Sequence, residues 1–370
     1  MHQNSAFENL EAVASAFCLD GEPKEITPYG NGHINDTFLL LCRKGESEKK
    51  YILQRINSAI FREPGALMEN VANVTAFLRK AIVEKGGDPD RETLNVIKTK
   101  DGENYLVDSQ QNYWRVFVFI SNTVCLEKIE NPRDFYDSAA AFGGFQNQLS
   151  AYPADTLHET IPLFHHTPSR FEALRNAVKQ DPMGRAGMVR AEIDFAFARE
   201  KDAHVLTDLL EKGELPLRVT HNDTKINNIL FDASTRKALC VIDLDTVMPG
   251  LSLYDFGDSI RTGASTGAED EPDLSRVELD LSLFETFTEG FIKGCAGSLT
   301  PLEISLLPMG AKLMTYESGL RFLTDFLSGD TYFKIHRENH NLDRTRTQFK
   351  LVADMEKKWD EMAAAVNRCR

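Results

Sequence analysis

The chain has 370 residues, 42% of them hydrophobic, and a formal net charge of −14. That is enough apolar material for a large core and favours two domains or one two-lobed unit. The acidic balance argues against broad nucleic-acid binding, which needs a basic face, and no apolar run is long enough to span a bilayer.

The N-terminal part reads as a short helix followed by antiparallel strands. Residues 7–19 carry Leu10, Val13, Ala14 and Phe17 at helical spacing. Residues 37–41 and 51–56 read as strands, with the charged stretch 43–50, containing Gly45, as the turn between them. Residues 69–82 look helical. Residues 94–99 and 103–107 are strand-like, with Asp101-Gly102 as a hairpin turn, and residues 114–120 form a further strand. Beyond Ile120 the pattern turns helical. Asn131-Pro132 is a helix start, with Asn as cap and Pro in the first turn, and Phe135, Phe142, Phe145 and Leu149 mark its buried stripe. Thr300-Pro301-Leu302-Glu303 is a capping box, and Pro308 should bend or divide the helix that follows. The expected architecture is α+β, with a strand-rich lobe over residues 1–120 and a mostly helical lobe over 121–370.

The chemistry concentrates in residues 221–243. His221, Asp223 and Asn228 lie in His-Asn-Asp-Thr-Lys-Ile-Asn-Asn, and Asp243 follows fifteen residues after Asn228 in Val-Ile-Asp-Leu-Asp. Strand-like residues 217–220 and 228–231 flank the first motif, so it is expected as the tip of a hairpin. A carboxylate there, Asp223, can take a proton from an alcohol. The amide oxygen of Asn228 and the carboxylate of Asp243 suit a hard magnesium ion. Protein kinases space their catalytic Asp and metal-binding Asn in the same way. Asp255-Phe256-Gly257 spells a kinase metal motif but comes twelve residues after Asp243. Asp243 is the better ligand, and Asp255 is expected to brace the catalytic loop through backbone hydrogen bonds. Asp245 is left as a second metal contact or an outer carboxylate.

Residues 29–35, Tyr-Gly-Asn-Gly-His-Ile-Asn, lie between two expected strands. Gly30 and Gly32 permit a tight turn and close backbone approach to phosphate, with Asn35 at its end. A dinucleotide fold would need this loop to run into a helix, and a Walker loop would end in Gly-Lys-Ser/Thr. A strand–loop–strand setting is what kinase glycine loops use. His33 either bonds its own turn or faces the cleft and a substrate hydroxyl.

These residues resemble the aminoglycoside phosphotransferase and choline kinase superfamily, which has the two-lobed protein-kinase-like fold. Within it, the segments around Asp223, Asp243 and Asp255, residues 28–35 and residues 319–327 are similar to bacterial kinases that act on the anomeric carbon of N-acetylhexosamines. The resemblance spans nearly the whole chain. It implies a cytoplasmic enzyme using ATP and magnesium to make sugar 1-phosphates from N-acetylglucosamine and N-acetylgalactosamine. Asp223 would be the base and Asn228 and Asp243 the metal ligands. The hinge at Phe119 and Ile120 would hold adenine through its backbone. Arg321 and Tyr332 match positions used at the sugar, against the alternatives of an Arg321–Asp325 helix pair and a core tyrosine. Gln54 stands where such kinases carry a phosphate-binding Lys; Arg55 or Lys225 would supply part of that charge, although a neighbour on a strand, such as Arg55, points to the opposite face. Two alternatives stay open: a kinase of the same fold for an aminoglycoside- or choline-type alcohol, and a catalytically silent binding module.

The six cysteines, none in a Cys-x-x-Cys spacing, read as reduced structural thiols. No signal peptide, nucleic-acid partner or membrane association is expected, and the chain is expected to be a monomer acting on a small molecule.

Overall fold

The computed structural model describes residues 10–30 and 34–370. After a short helix, α1 (Leu10–Ser15), the chain builds an antiparallel sheet from β1 (Glu22–Pro28), β2 (Asp36–Lys44) and β3 (Ser47–Ile56). In β2 the residues Phe38, Leu40 and Cys42 are buried on one face, the two-residue period of a half-covered strand. The β2–β3 ladder runs on to Lys44 opposite Ser47, so the turn is only Gly45 and Glu46. The charged residues expected there belong to the strands, because this end of the sheet stands in solvent. Helix α2 (Pro64–Glu84) starts earlier than its apolar stripe, with Pro64 in its first turn, and buries Leu67, Val71, Val74, Leu78 and Ile82.

Strands β4 (Val96–Ile97) and β5 (Leu106–Val107) do not form the expected hairpin ladder. Both pair with one edge of β6 (Tyr113–Val118), whose other edge pairs with β3. The Asp101-Gly102 turn does form, with Gly102 at φ 90. The finished sheet is apolar on both faces. Val13, Phe17, Phe38, Leu53 and Val116 pack together on one face. On the other, α2 and Phe117 join Phe145, Leu149, Val219, Leu244 and Val247 of the helical region.

The helical region opens with β7 (Thr123–Cys125) and α3 (Pro132–Gln148), where Asn131 Oδ1 accepts the Asp134 N–H at 3.0 Å. Next come α4 (Thr167–Gln180), α5 (Arg190–Phe197), α6 (Glu200–Glu211), β8 (Arg218–Thr220), β9 (Ile229–Asp232), β10 (Ala238–Val241) and β11 (Met248–Gly250). The chain ends in α7 (Ser252–Gly263), α8 (Leu281–Cys295), α9 (Pro301–Ser305), α10 (Leu307–Leu327), α11 (His340–Lys357) and α12 (Trp359–Arg368). The Thr300–Glu303 capping box is present, and the helix is divided at Leu306 with Pro308 in the first turn of α10.

Helices α7 and α10 form the centre of this region. A Cβ on Gly257 would lie 2.3 Å from the Gly310 carbonyl oxygen, so this glycine sets how closely they approach. Phe256 packs on Phe284, Phe287 and Phe291. The kinase-like triplet at 255–257 is therefore helix-packing sequence, with only its Asp turned to other use. No helix among the described residues is long and apolar enough to cross a membrane.

Candidate active site

The segment 221–228 is not a hairpin tip. Strand β8 pairs with β11, whereas β9 pairs with β10 and β7, so the segment crosses between two small sheets. Side chains from α7 hold it, where a hairpin would use its own ladder. Asp255 accepts the backbone N–H groups of His221 and Asn222 at 3.0 and 2.8 Å, and Gln146 donates to the same carboxylate at 2.6 Å. This is the bracing role expected of Asp255. Thr224 donates its hydroxyl to the Asp255 carbonyl at 2.6 Å and its N–H to Asp258 at 3.0 Å. Asn222 adopts a left-handed conformation, φ 66, and its side chain donates to the Thr246 carbonyl at 2.8 Å. Satisfying these backbone groups lets an irregular segment sit half inside the protein.

Asp223, Asn228 and Asp243 come together. The Asn228 amide donates to the Asp223 carbonyl at 2.8 Å and to its carboxylate at 3.2 Å. Lys225 Nζ lies 2.7 Å from the other Asp223 oxygen. The Ile242 N–H donates to the Asn228 carbonyl at 2.9 Å, which carries the next residue, Asp243, to the same place. Asp243 is an exposed residue, yet protein surrounds its carboxylate closely enough to desolvate it. Burial, then the negative charges of Asp245 and Asp223, push its carboxyl up to about 6.

Carboxylates crowded at one point favour a cation there. Among the described residues no hydrogen bond ends on Asn228 Oδ1 or on the Asp243 carboxylate, so both oxygens suit a hard ion. No three His, Cys, Asp or Glu side chains among the described residues gather to hold a metal alone. A magnesium ion bound by Asn228 and Asp243 would complete its shell with phosphate and water, its usual habit beside nucleotides.

On the phosphate side, Gly30 has φ 76 at the end of β1; Gly32 and His33 lie outside the described residues. Asn35 donates to Asp245 at 2.7 Å and accepts the Asn57 N–H at 3.0 Å. Gln54 donates to Thr37 and accepts from Arg115 at 3.0 Å. Arg115, cross-strand from Gln54, is the cation that sequence reasoning missed. It forks onto Asp245 at 2.5 and 2.9 Å, and the two side chains are only 2% and 5% exposed. Asp245 is thus committed to Arg115 and Asn35, joining sheet to helical region. Arg55 is drawn to Asp36, and Lys225 to Asp223. The available signal was one Arg inside the apolar run Trp-Arg-Val-Phe-Val, since a buried charge needs a partner.

Phe119 meets Tyr29 edge-on at 5.8 Å, and its N–H is spent on the Lys50 carbonyl at 3.1 Å. Ile120 is buried, and its carbonyl accepts the Thr123 hydroxyl.

The acceptor side also differs from expectation. Asp325 does not pair with Arg321; it accepts the N–H groups of Thr331, Tyr332 and Phe333 and so shapes the loop after α10. Arg321 instead lies 5.3, 5.8 and 5.5 Å from the ring centres of Phe164, Tyr332 and Phe333. Tyr332 is 67% exposed, which removes the core alternative. Arg170 donates to the Phe164 carbonyl, and burial followed by the nearby Arg321 charge pulls its guanidinium below the ordinary value. Among the described residues neither Arg170 nor Arg321 has a carboxylate partner within salt-bridge distance.

A strand-rich region over a helical one, with an Asp–Asn–Asp cluster between them, is the protein-kinase-like architecture. The sequence profile of the phosphotransferase enzyme family matches residues 25–287, and the chain belongs to that family. Three solved structures have a similar fold. An aminoglycoside phosphotransferase from Alicyclobacillus acidocaldarius is 14% identical over 96% of this chain and 95% of that one, with a TM-score of 0.58. A choline kinase from Cryptosporidium parvum is 13% identical over 93% and 92%, with a TM-score of 0.56. A spectinomycin phosphotransferase in complex with ADP and spectinomycin is 13% identical over 97% and 98%, with a TM-score of 0.52.

Proposed function

We propose that the protein is an ATP-dependent kinase that phosphorylates the anomeric hydroxyl of N-acetylhexosamines, N-acetylglucosamine or N-acetylgalactosamine, with magnesium as cofactor. The observation that carries the choice of acceptor is the wall built by Arg321, Arg170 and Phe164. Its neighbour His165 touches the carbonyl of Asn222, one residue before Asp223. Two guanidiniums with no carboxylate within salt-bridge distance among the described residues disfavour a cationic alcohol such as choline or an aminoglycoside. They suit a neutral acceptor rich in hydroxyl and carbonyl oxygens, and the exposed Tyr332 ring offers a face for a sugar.

In this reading Asp223 takes the proton of the acceptor hydroxyl, a contribution of typically about 10²–10⁴-fold. Lys225 balances the charge of that carboxylate and Asn228 fixes it. Bound magnesium supplies neutralisation of phosphate charge at Asn228 and Asp243. Gly30 and Asn35 border the phosphate loop, and the hinge at Phe119 and Ile120 lies beside the adenine. Phosphoryl transfer asks mainly for such positioning and charge balance.

The test is incubation with ATP, magnesium and, in turn, N-acetylglucosamine, N-acetylgalactosamine, choline, ethanolamine and an aminoglycoside, with the product read by phosphorus and proton NMR. An anomeric phosphate is expected from the acetylated sugars and none from the cations. Preferred phosphorylation of a cation would overturn the reading.

A further inference from the structure

A buried pair outside the Asp–Asn–Asp cluster touches the segment 221–228 at a carbonyl that Asp255 does not hold. His165 Nδ1 lies 2.8 Å from Glu317 Oε1, and its Nε2 lies 3.1 Å from the Asn222 carbonyl oxygen. Thr167 donates to the second Glu317 oxygen at 2.6 Å. His165 is 9% exposed and Glu317 fully buried.

The protons on the ring follow from its partners. A carbonyl oxygen only accepts, so Nε2 carries a proton. Burial pushes the Glu317 carboxyl up, but the charge and hydrogen bond of His165, the Arg321 charge and the Thr167 hydroxyl outweigh it and hold it below the ordinary value. Glu317 therefore accepts from Thr167 and lies within hydrogen-bond distance of Nδ1. The Nε2 donor of His165 is spent on the carbonyl before the base.

That carbonyl belongs to Asn222, whose left-handed backbone sets where Asp223 begins. Asp255 holds the N–H groups of His221 and Asn222, so Asn222 is held at both its N–H and its carbonyl. The pair also reaches the acceptor wall. Glu317 sits one helical turn before Arg321 on α10, and His165 follows Phe164, whose ring lies under the Arg321 guanidinium.

We infer that His165 and Glu317 are positioning residues for the phosphoryl transfer: a buried hydrogen-bonded pair that holds the Asn222 carbonyl, orients Asp223, and ties the base to the acceptor wall at Arg321. This rests on Asp223 being the base. Neither residue touches the acceptor, so their effect falls on turnover more than on nucleotide binding.

The experiment compares His165→Ala, His165→Gln, Asp223→Asn and the double variant His165→Ala/Asp223→Asn, with N-acetylglucosamine and magnesium–ATP. In His165→Ala, kcat should fall at least about tenfold while KM for ATP stays within about twofold, since a misplaced base costs rate. His165→Gln, which keeps a donor for the carbonyl, should recover most of that loss. In the Asp223→Asn background the His165→Ala change should cost less than about threefold, because it acts through the group already removed. Full additivity, or wild-type turnover in a folded His165→Ala, overturns the positioning role. Wild-type turnover in Asp223→Asn overturns the base itself, a separate failure. If His165→Ala does not fold, Thr167→Val and Glu317→Gln are read by the same kcat and KM criteria. Nitrogen NMR of the His165 ring needs no acceptor: a protonated Nε2 is expected, and an unprotonated Nε2 refutes the bond to the Asn222 carbonyl.

Discussion

Replacing Arg115 with Met tests how the sheet is joined to the catalytic region. The guanidinium makes two charge-assisted bonds to Asp245 and one bond to Gln54, with both charged side chains almost completely buried. Two hydrogen bonds to a charged partner at about 1.5–3 kcal/mol each give about 3–6 kcal/mol. The cost of stranding one member of a buried pair, about 3–5 kcal/mol, falls in the same range. At roughly 2 °C per kcal/mol for a chain of this size, Arg115→Met should melt about 6–10 °C lower. Removing both charges removes the stranded ion, so Arg115→Met/Asp245→Asn should regain at least half of the loss. Thermal melts and urea midpoints of the four proteins in the cycle supply the measurement. A single variant within about 1 kcal/mol of the parent, or a double variant no better than the single, would refute the assignment of Arg115 and Asp245 as a coupled, desolvated pair.

Asp223→Asn should lower kcat by at least about 10² while ATP still binds, checked by turnover and by nucleotide titration. Arg321→Gln should raise KM for the acceptor several-fold and leave KM for ATP unchanged in steady-state kinetics. Glu303, buried against Arg218, Ser252 and the Thr300 N–H, is held below its ordinary value of 4.5, because these partners together outweigh its burial. A lowered folded value means that its stabilisation is fully present above the unfolded value of 4.5 and is lost as pH falls from there through the folded value. Glu303→Gln should therefore destabilise at pH 7, with the difference from the parent closing in acid melts. Gly257→Ala places a methyl 2.3 Å from the Gly310 carbonyl and should lower the melting temperature by several degrees, whereas Gly213→Ala, where a Cβ meets nothing, should show only its backbone strain.

Local chemistry made much of this protein readable in one dimension. Asn131-Pro132 and Thr300-Pro301-Leu302-Glu303 set helix starts within a few residues, and the Asp223, Asn228 and Asp243 spacing marked the centre because the chain returns there within two short strands. Asp255 as a brace was also legible, since a carboxylate on α7 can answer N–H groups that no ladder satisfies. Partners chosen across the fold were not legible. The pairing of β8 with β11 turned an expected hairpin into a crossing, and β4 and β5 chose an edge of β6 over each other. The charge missing at Gln54 was answered by Arg115, sixty-one residues later and adjacent only through strand register. Arg321 left Asp325 for three aromatic rings, because three backbone N–H groups had already claimed that carboxylate. Helical periods, caps and turns are short-range, so they are written in neighbouring residues. Which strand lies beside which, and which buried charge meets which, depends on the packed whole, where desolvation makes an unpaired group too costly to leave alone.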